Sequence, residues 1–180
     1  MGDFVPGGAP LLRVHGGAPS ELGDSARLIE LHDERTHDLD PAYGLRKLVD
    51  IAIRSASDDP TTTVEALHRI HDAMRQLVWR PFPSGRHTDE TGELRLIVPV
   101  RDWDDYVRLA FEEIRIAGVG QPQIARRLRA ALEDLATIAE PERRVAIDEH
   151  LELLDSAVGQ HYGEERAAQS ARAADMQGLG

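Results

Sequence analysis

The stretch "DPAYGLRKLVDIAIRSASDDPTTT", Asp40 to Thr63, decides the fold because it holds two helix starts and one helix face. Asp40 before Pro41 and Asp59 before Pro60 each place a side-chain acceptor against exposed amides, ahead of an imino residue with no donor to leave idle. Between them, Leu45, Leu48, Val49 and Ala52 fall on one side of a 3.6-residue period, which predicts an amphipathic helix from Pro41. The segment "SASDDPTTT" ends it, since the residue before a proline is pushed out of the helical region, and a second helix begins at Pro60.

Working toward the C-terminus, Leu67, Ile70, Met74, Leu77 and Val78 give that second helix an apolar face. "RPFPSGRHTDETGE" reads as a polar loop, and Leu94 to Val98 of "LRLIVPV" as one short strand. Asp102 is a candidate cap for a third helix, on which Trp103, Tyr106, Val107, Ala110, Phe111 and Ile114 form the clearest stripe in the chain. After the turn "GVGQP", Ile124, Leu128, Leu132 and Leu135 mark a fourth helix, and Pro141 opens a fifth carrying Val145, Leu151, Leu154 and Val158.

Toward the N-terminus, "GDFVPGGAPLLRVHGG" sets two short apolar patches around a Pro/Gly turn, which predicts a hairpin or the remnant of a small sheet over residues 1–20. Residues 21–40 read as a connector, 41–158 as the helical domain and 159–180, poor in large apolar residues, as a flexible tail. The expected fold is therefore mainly α: a bundle-like domain of five helices with a small N-terminal β-hairpin and one further short strand.

Composition narrows function by exclusion. The chain has 180 residues, 41% hydrophobic and only 4% aromatic, so aliphatic side chains and alanine must fill one ordinary core. A formal charge of -11 repels phosphate backbones, so no nucleic-acid partner is expected. Without cysteine there is no disulfide, thiolate metal site or thiol chemistry. No run approaches the ~18 apolar residues that span a bilayer, and the first residues lack a signal-peptide pattern. The expectation for this chain alone is a soluble, cytoplasmic protein.

The charged strip beside the opening helix is the candidate site. Tyr43, Arg46, Lys47, Asp50 and Arg54 lie largely opposite Leu45 and Ala52, and the four-residue spacings pair Arg46 with Asp50 and Asp50 with Arg54. Such exposed pairs contribute about 0.2 to 0.5 kcal/mol each, so a solvated face is the plain reading. A sharper reading sets Arg46 and Arg54 over a polar groove with Asp58 and Asp59, where an anion or a protein segment lies. Thr61, Thr62 and Asp59 are also explained as helix capping. A carboxylate enzyme built on Asp50 or Asp59 is a further reading, but it has no partner nucleophile.

Elsewhere, His68 and His71 share a helix face at a spacing two metal ligands can use, yet a closed zinc site needs about two more ligands. Packed, hydrogen-bonded imidazoles are the simpler account. There is no HExxH, P-loop or GxGxxG pattern and no GxSxG context for a serine. Neither a catalytic residue, a metal nor a cofactor is assigned.

The ordered series "ERTHDLDPAYGLRKLVDIAIRS", "DPTTTVEALHRI", "WRPFP", "GELRLIVP" and "DDYVRLAFEEIRIAG", reaching back to "GDFVPGGAPLLRV", resembles the soluble C-terminal portion of the DUF2254 family of bacterial predicted membrane proteins. The resemblance implies transmembrane helices ahead of this region in full-length relatives, which places them in the bacterial cell membrane, and it brings no catalytic assignment. It reads this chain as a separated or truncated portion. Relatives carry a longer connection resembling Ser-Pro-x-x-Asn-Asp-Pro where this chain has the shorter "SASDDPTTT". The functional expectation is a noncatalytic protein-interaction or regulatory module, with a protein partner or a homo-oligomer. The alternatives are an anion-binding domain using Arg46 and Arg54, and an enzyme of unrecognised class.

Overall fold

A computed structural model describes residues 4–15, 29, 40–163 and 165–178. Among them are six helices, α1 (Pro41–Ser55), α2 (Pro60–Leu77), α3 (Trp103–Gly118), α4 (Pro122–Ile138), α5 (Pro141–His161) and α6 (Glu165–Arg172), and two strands, β1 (Arg86–Thr88) and β2 (Leu94–Ile97). The protein is mainly helical with a small antiparallel sheet.

The helix starts follow local chemistry. Asp40 accepts from the Tyr43 amide at 3.3 Å and Asp59 from the Thr62 amide at 3.1 Å, each followed by proline in the first turn. Asp102 and Asp105 form a reciprocal capping box, with Asp105 N–H donating to Asp102 at 2.9 Å. Helices α4 and α5 also open on proline but without a side-chain cap.

The buried stripes meet in one core. Leu45, Val49 and Ala52 of α1, Leu67, Ile70 and Met74 of α2, Val107, Phe111 and Ile114 of α3, Leu128, Leu132 and Leu135 of α4, and Ile147 and Leu154 of α5 belong to a single buried cluster. Helix α1 lies between α2 and α3, while α4 packs on α2, α5 and α6. At the α3–α4 turn a Cβ on Gly118 would stand 2.6 Å from Ile124 Cγ2, so only glycine lets the two helices approach this closely.

Four expectations change. Residues 4–15 form no strand; a turn with the Ala9 amide on the Pro6 carbonyl at 3.0 Å leaves Phe4, Val5, Leu11, Leu12 and Val14 exposed. Pro6 and Pro10 lack the donors that a ladder needs, and the rest of 1–20 and the connector expected over 21–40, Ile29 and Asp40 apart, lie outside the described residues. The antiparallel pair instead joins β2 to β1, inside the segment read as a loop, with Arg86 opposite Ile97, His87 opposite Leu96 and Thr88 opposite Leu94. Asp89 fastens its turn by accepting from the amides of Thr91 and Glu93 and from Arg95 Nε at 2.6 Å.

The segment read as a flexible tail carries α6, which buries Ala168 and Ala171 against the bundle. Small side chains permit that close seat, although a hydropathy pattern scores them weakly. Val145, read as part of the α5 stripe, is 67% exposed, and Ala146 and Ile147 take the inward positions.

Candidate functional site

The charged strip of α1 closes onto α3. Arg46 Nε donates to Asp50 Oδ1 at 2.7 Å, and its two terminal nitrogens grip the Glu113 carboxylate, Nη2 to Oε2 at 3.0 Å. The fork geometry uses the guanidinium fully. The hydrogen bonds that Arg46 donates to Glu113 and Asp50 raise its pKa, and the Arg46 contact lowers that of Glu113. Arg54 Nε donates to the Asp50 carbonyl at 3.0 Å, leaving its outer nitrogens toward solvent. On the same face Lys47 Nζ sits 4.7 Å from the centre of the Tyr43 ring.

Arg46, Asp50, Ile53, Arg54 and Glu113 line an open depression of about 230 Å³. Its two arginines and two carboxylates balance in formal charge. The structure thus brings together Arg46, Asp50 and Arg54 and adds Glu113, which stands 67 residues from Arg46. No local spacing signals such a partner. Asp58, Asp59, Thr61 and Thr62 do not line the depression. Asp59 is occupied as a cap, with Thr62 Oγ1 donating to it at 2.6 Å, and the Thr62 hydroxyl and amide hold its pKa below the usual carboxylate range. Asp58 and Thr61 are exposed at the junction.

Behind that junction, buried Thr63 donates to the Ala52 carbonyl at 3.0 Å and lies 2.8 Å from Ser55 Oγ, so the hydroxyls stitch α1 to α2. The connection is a built joint.

A second polar centre lies between α2 and α4. His71 is buried with Nε2 2.8 Å from Asp134 Oδ2 and Nδ1 2.9 Å from Arg127 Nη2. Because a guanidinium only donates, Nδ1 must accept, which fixes the neutral tautomer with the proton on Nε2 aimed at Asp134. Burial drives the His71 pKa down against the opposing pull of Asp134. Arg75 also binds Asp134. His68, three residues earlier, turns to the Met176 carbonyl at 3.2 Å, so the two histidines do not converge on one point.

A third cluster clasps the end of the bundle. Arg143 of α5 donates to the carbonyls of Val78 and Arg80 beyond α2, the latter at 2.8 Å, and stacks 5.1 Å from the Phe82 ring. Trp103 Nε1 donates to the Arg143 carbonyl at 2.8 Å. Neither Arg143 nor the Arg127 to Asp134 network stood out in the sequence, because each joins segments distant along the chain.

Fold and site together define a helical module on which Arg46, Asp50 and Glu113 are engaged with one another. The chain belongs to the family described as "Predicted membrane protein (DUF2254)", which it matches over residues 1–134. It is 30% identical over 179 residues to the uncharacterised proteins Rv1290c of Mycobacterium tuberculosis and Mb1321c of Mycobacterium bovis, an alignment covering 92% of this chain and 34% of each relative. The chain thus spans about a third of the length of these relatives. No solved structure matches it. Among the described residues no helix is long and apolar enough to cross a membrane.

Proposed function

We propose that this chain is a noncatalytic protein-interaction or regulatory module, working in the cytoplasm through a protein partner or a second copy of itself. The observation that carries this reading is the contrast between its polar and apolar surfaces. Asp50 is bound to Arg46 and Asp59 is consumed as a cap, so neither carboxylate is poised to take or give a proton. The hairpin, by contrast, exposes every residue of both strands, with Leu96 43% and Ile97 62% accessible. Apolar side chains on an unsupported two-stranded element favour a partner surface. In longer relatives such a module would stand beside a membrane.

Sedimentation of the purified full chain over a concentration range, paired with capture by the immobilised chain, tests the reading. Reproducible assembly or enrichment of one protein, lost on Leu96→Glu, is the expected result. A monomer that enriches nothing would overturn it.

The outer nitrogens of Arg54 beside the depression favour a second reading, a small anion held with Arg46. On that reading phosphate or citrate raises the unfolding midpoint, and Arg46→Gln with Arg54→Gln removes the rise. An equal rise in the double variant would sink it, and the balanced charge of the depression makes this the weaker reading.

A further inference from the structure

The C-terminal segment is held to the bundle by polar contacts and very small side chains. Besides Ala168 and Ala171, α6 offers Ser170 Oγ, which accepts from Arg126 Nη1 at 3.4 Å. Beyond α6 the chain crosses from α4 to α2. The Asp175 amide donates to the Arg126 carbonyl at 3.2 Å, His68 Nε2 lies 3.2 Å from the Met176 carbonyl, and Gly178 packs so tightly that a Cβ would stand 2.6 Å from Val64 Cγ1. Asp175 Oδ1 accepts from the amides of Gln177 and Gly178 at 3.0 and 2.9 Å, which shapes the turn. Its other oxygen faces Arg126 Nε at 3.9 Å, with the two side chains only 15% and 19% exposed.

Next to Arg126 on α4 stands Arg127, 1% exposed. One nitrogen serves His71; Nε and Nη1 have no hydrogen-bond partner among the described residues, and the carboxylates whose charge acts on it are Asp134 and Asp175. A dry guanidinium with two idle donors is an unfavourable burial, and it supplies what a carboxylate ligand needs. The element beside it is anchored with little apolar area, which is the character of segments that open before the rest of a fold.

We propose that residues 165–178 form a displaceable strap, that Asp175 occupies a carboxylate-binding site on α4 at Arg126, next to the buried Arg127, and that an acidic segment of a partner protein takes this site when the strap lifts. The inference rests on the reading of the chain as an interaction module and names the chemistry of its partner. The strap acts as a resident competitor, so the module binds only ligands that outbid an intramolecular carboxylate.

The test uses the full chain. Native-state hydrogen exchange of the wild type should show the amides of 165–178 opening ahead of those of α2 and α4. Asp175→Asn retains the Oδ1 acceptor for Gln177 and Gly178 but removes the charge. It should speed that opening and let the chain bind a fluorescent peptide of residues 165–178 about tenfold more tightly than wild type does, the scale of one lost charged contact.

The same peptide carrying Asp175→Asn should bind about tenfold more weakly. Exchange of 165–178 together with α4, equal binding of the two peptides, or no binding of either would overturn the proposal, and the wild-type exchange decides even where the variant folds poorly. If these results fail while the chain still assembles reproducibly, the strap falls and the module reading stands. A peptide that binds as expected to a chain that neither assembles nor captures a protein leaves the site standing and removes the broader reading.

Discussion

At the scale of single residues, adjacent carboxylates of the same chemistry carry unequal roles. Asp59 receives the Thr62 amide and hydroxyl, whereas Asp58 is exposed with no hydrogen bond among the described residues. Asp59→Ala should therefore lower the urea midpoint clearly while Asp58→Ala leaves it in place, and equal effects would mean that the cap contributes nothing. His150 gives the pH dependence a sign. It is buried beside Phe111, Leu128 and Leu154, and Nδ1 has no hydrogen-bond partner among the described residues. Burial lowers its pKa, reinforced by Arg115 and Arg108 and opposed by Glu112 and Glu149. The native imidazole stays neutral while the unfolded one takes up a proton near its ordinary pKa of about 6.5. Stability is thus full above that pH and declines as pH falls below it, with lowered His71 acting in the same direction. His150→Leu should hold stability within about 1 kcal/mol at pH 7, since an unpartnered polar atom is replaced by an apolar one, and should make the decline from pH 7 to 5 shallower. An unchanged slope would assign the pH dependence elsewhere.

At the scale of elements, what the sequence made legible was whatever nearby residues determine. Asp-Pro starts, the Asp102 cap and the stripe through Tyr106, Phe111 and Ile114 are local, and they placed α1, α2 and α3 closely. Strand β1 was missed because "RHT" has no alternation of its own and becomes a strand only by pairing with β2. Helix α6 was missed because alanines seat it. In the candidate site the Arg46–Asp50 pair follows from four-residue spacing, while Glu113 arrives through the packing of α3 on α1. The Arg143 clasp belongs to the same class of long-range contact. It ties α5 to the Val78 and Arg80 carbonyls just beyond α2, acceptors that lie outside the helical ladder. Arg143→Ala should cost about 2 kcal/mol, the range for hydrogen bonds to a charged donor, and Arg143→Lys should recover only part because a point charge cannot fork between two carbonyls. Glu113→Gln, at an exposed pair, should cost under about 1 kcal/mol. Chemical denaturation of the three variants ranks them, and an Arg143→Ala loss no larger than that of Glu113→Gln would show that the clasp adds nothing beyond a surface ion pair.

At the scale of the whole molecule, the helical body and the hairpin answer to different forces. The body buries one continuous core, whereas, among the described residues, β1 and β2 pack on each other and on none of the helices. Their stability and that of the body should therefore separate. Leu94→Ser with Leu96→Ser should change the unfolding free energy followed by helical circular dichroism by less than about 0.5 kcal/mol, the usual range for surface positions. The same pair should weaken association, because those side chains are two of the three exposed apolar residues of β2 that a partner would cover. Formal charge adds a second handle. At -11 two copies repel one another, and screening shortens that repulsion to about 10 Å at 0.1 M salt. Rising salt should thus strengthen self-association of the wild type through the hairpin and leave the double serine variant monomeric. Sedimentation at low and high salt, run beside the denaturation curves, reads both quantities on one preparation. A drop in the helical midpoint of the variant would mean that the hairpin supports the body, and salt-strengthened association that survives the substitutions would move the contact surface to the helices.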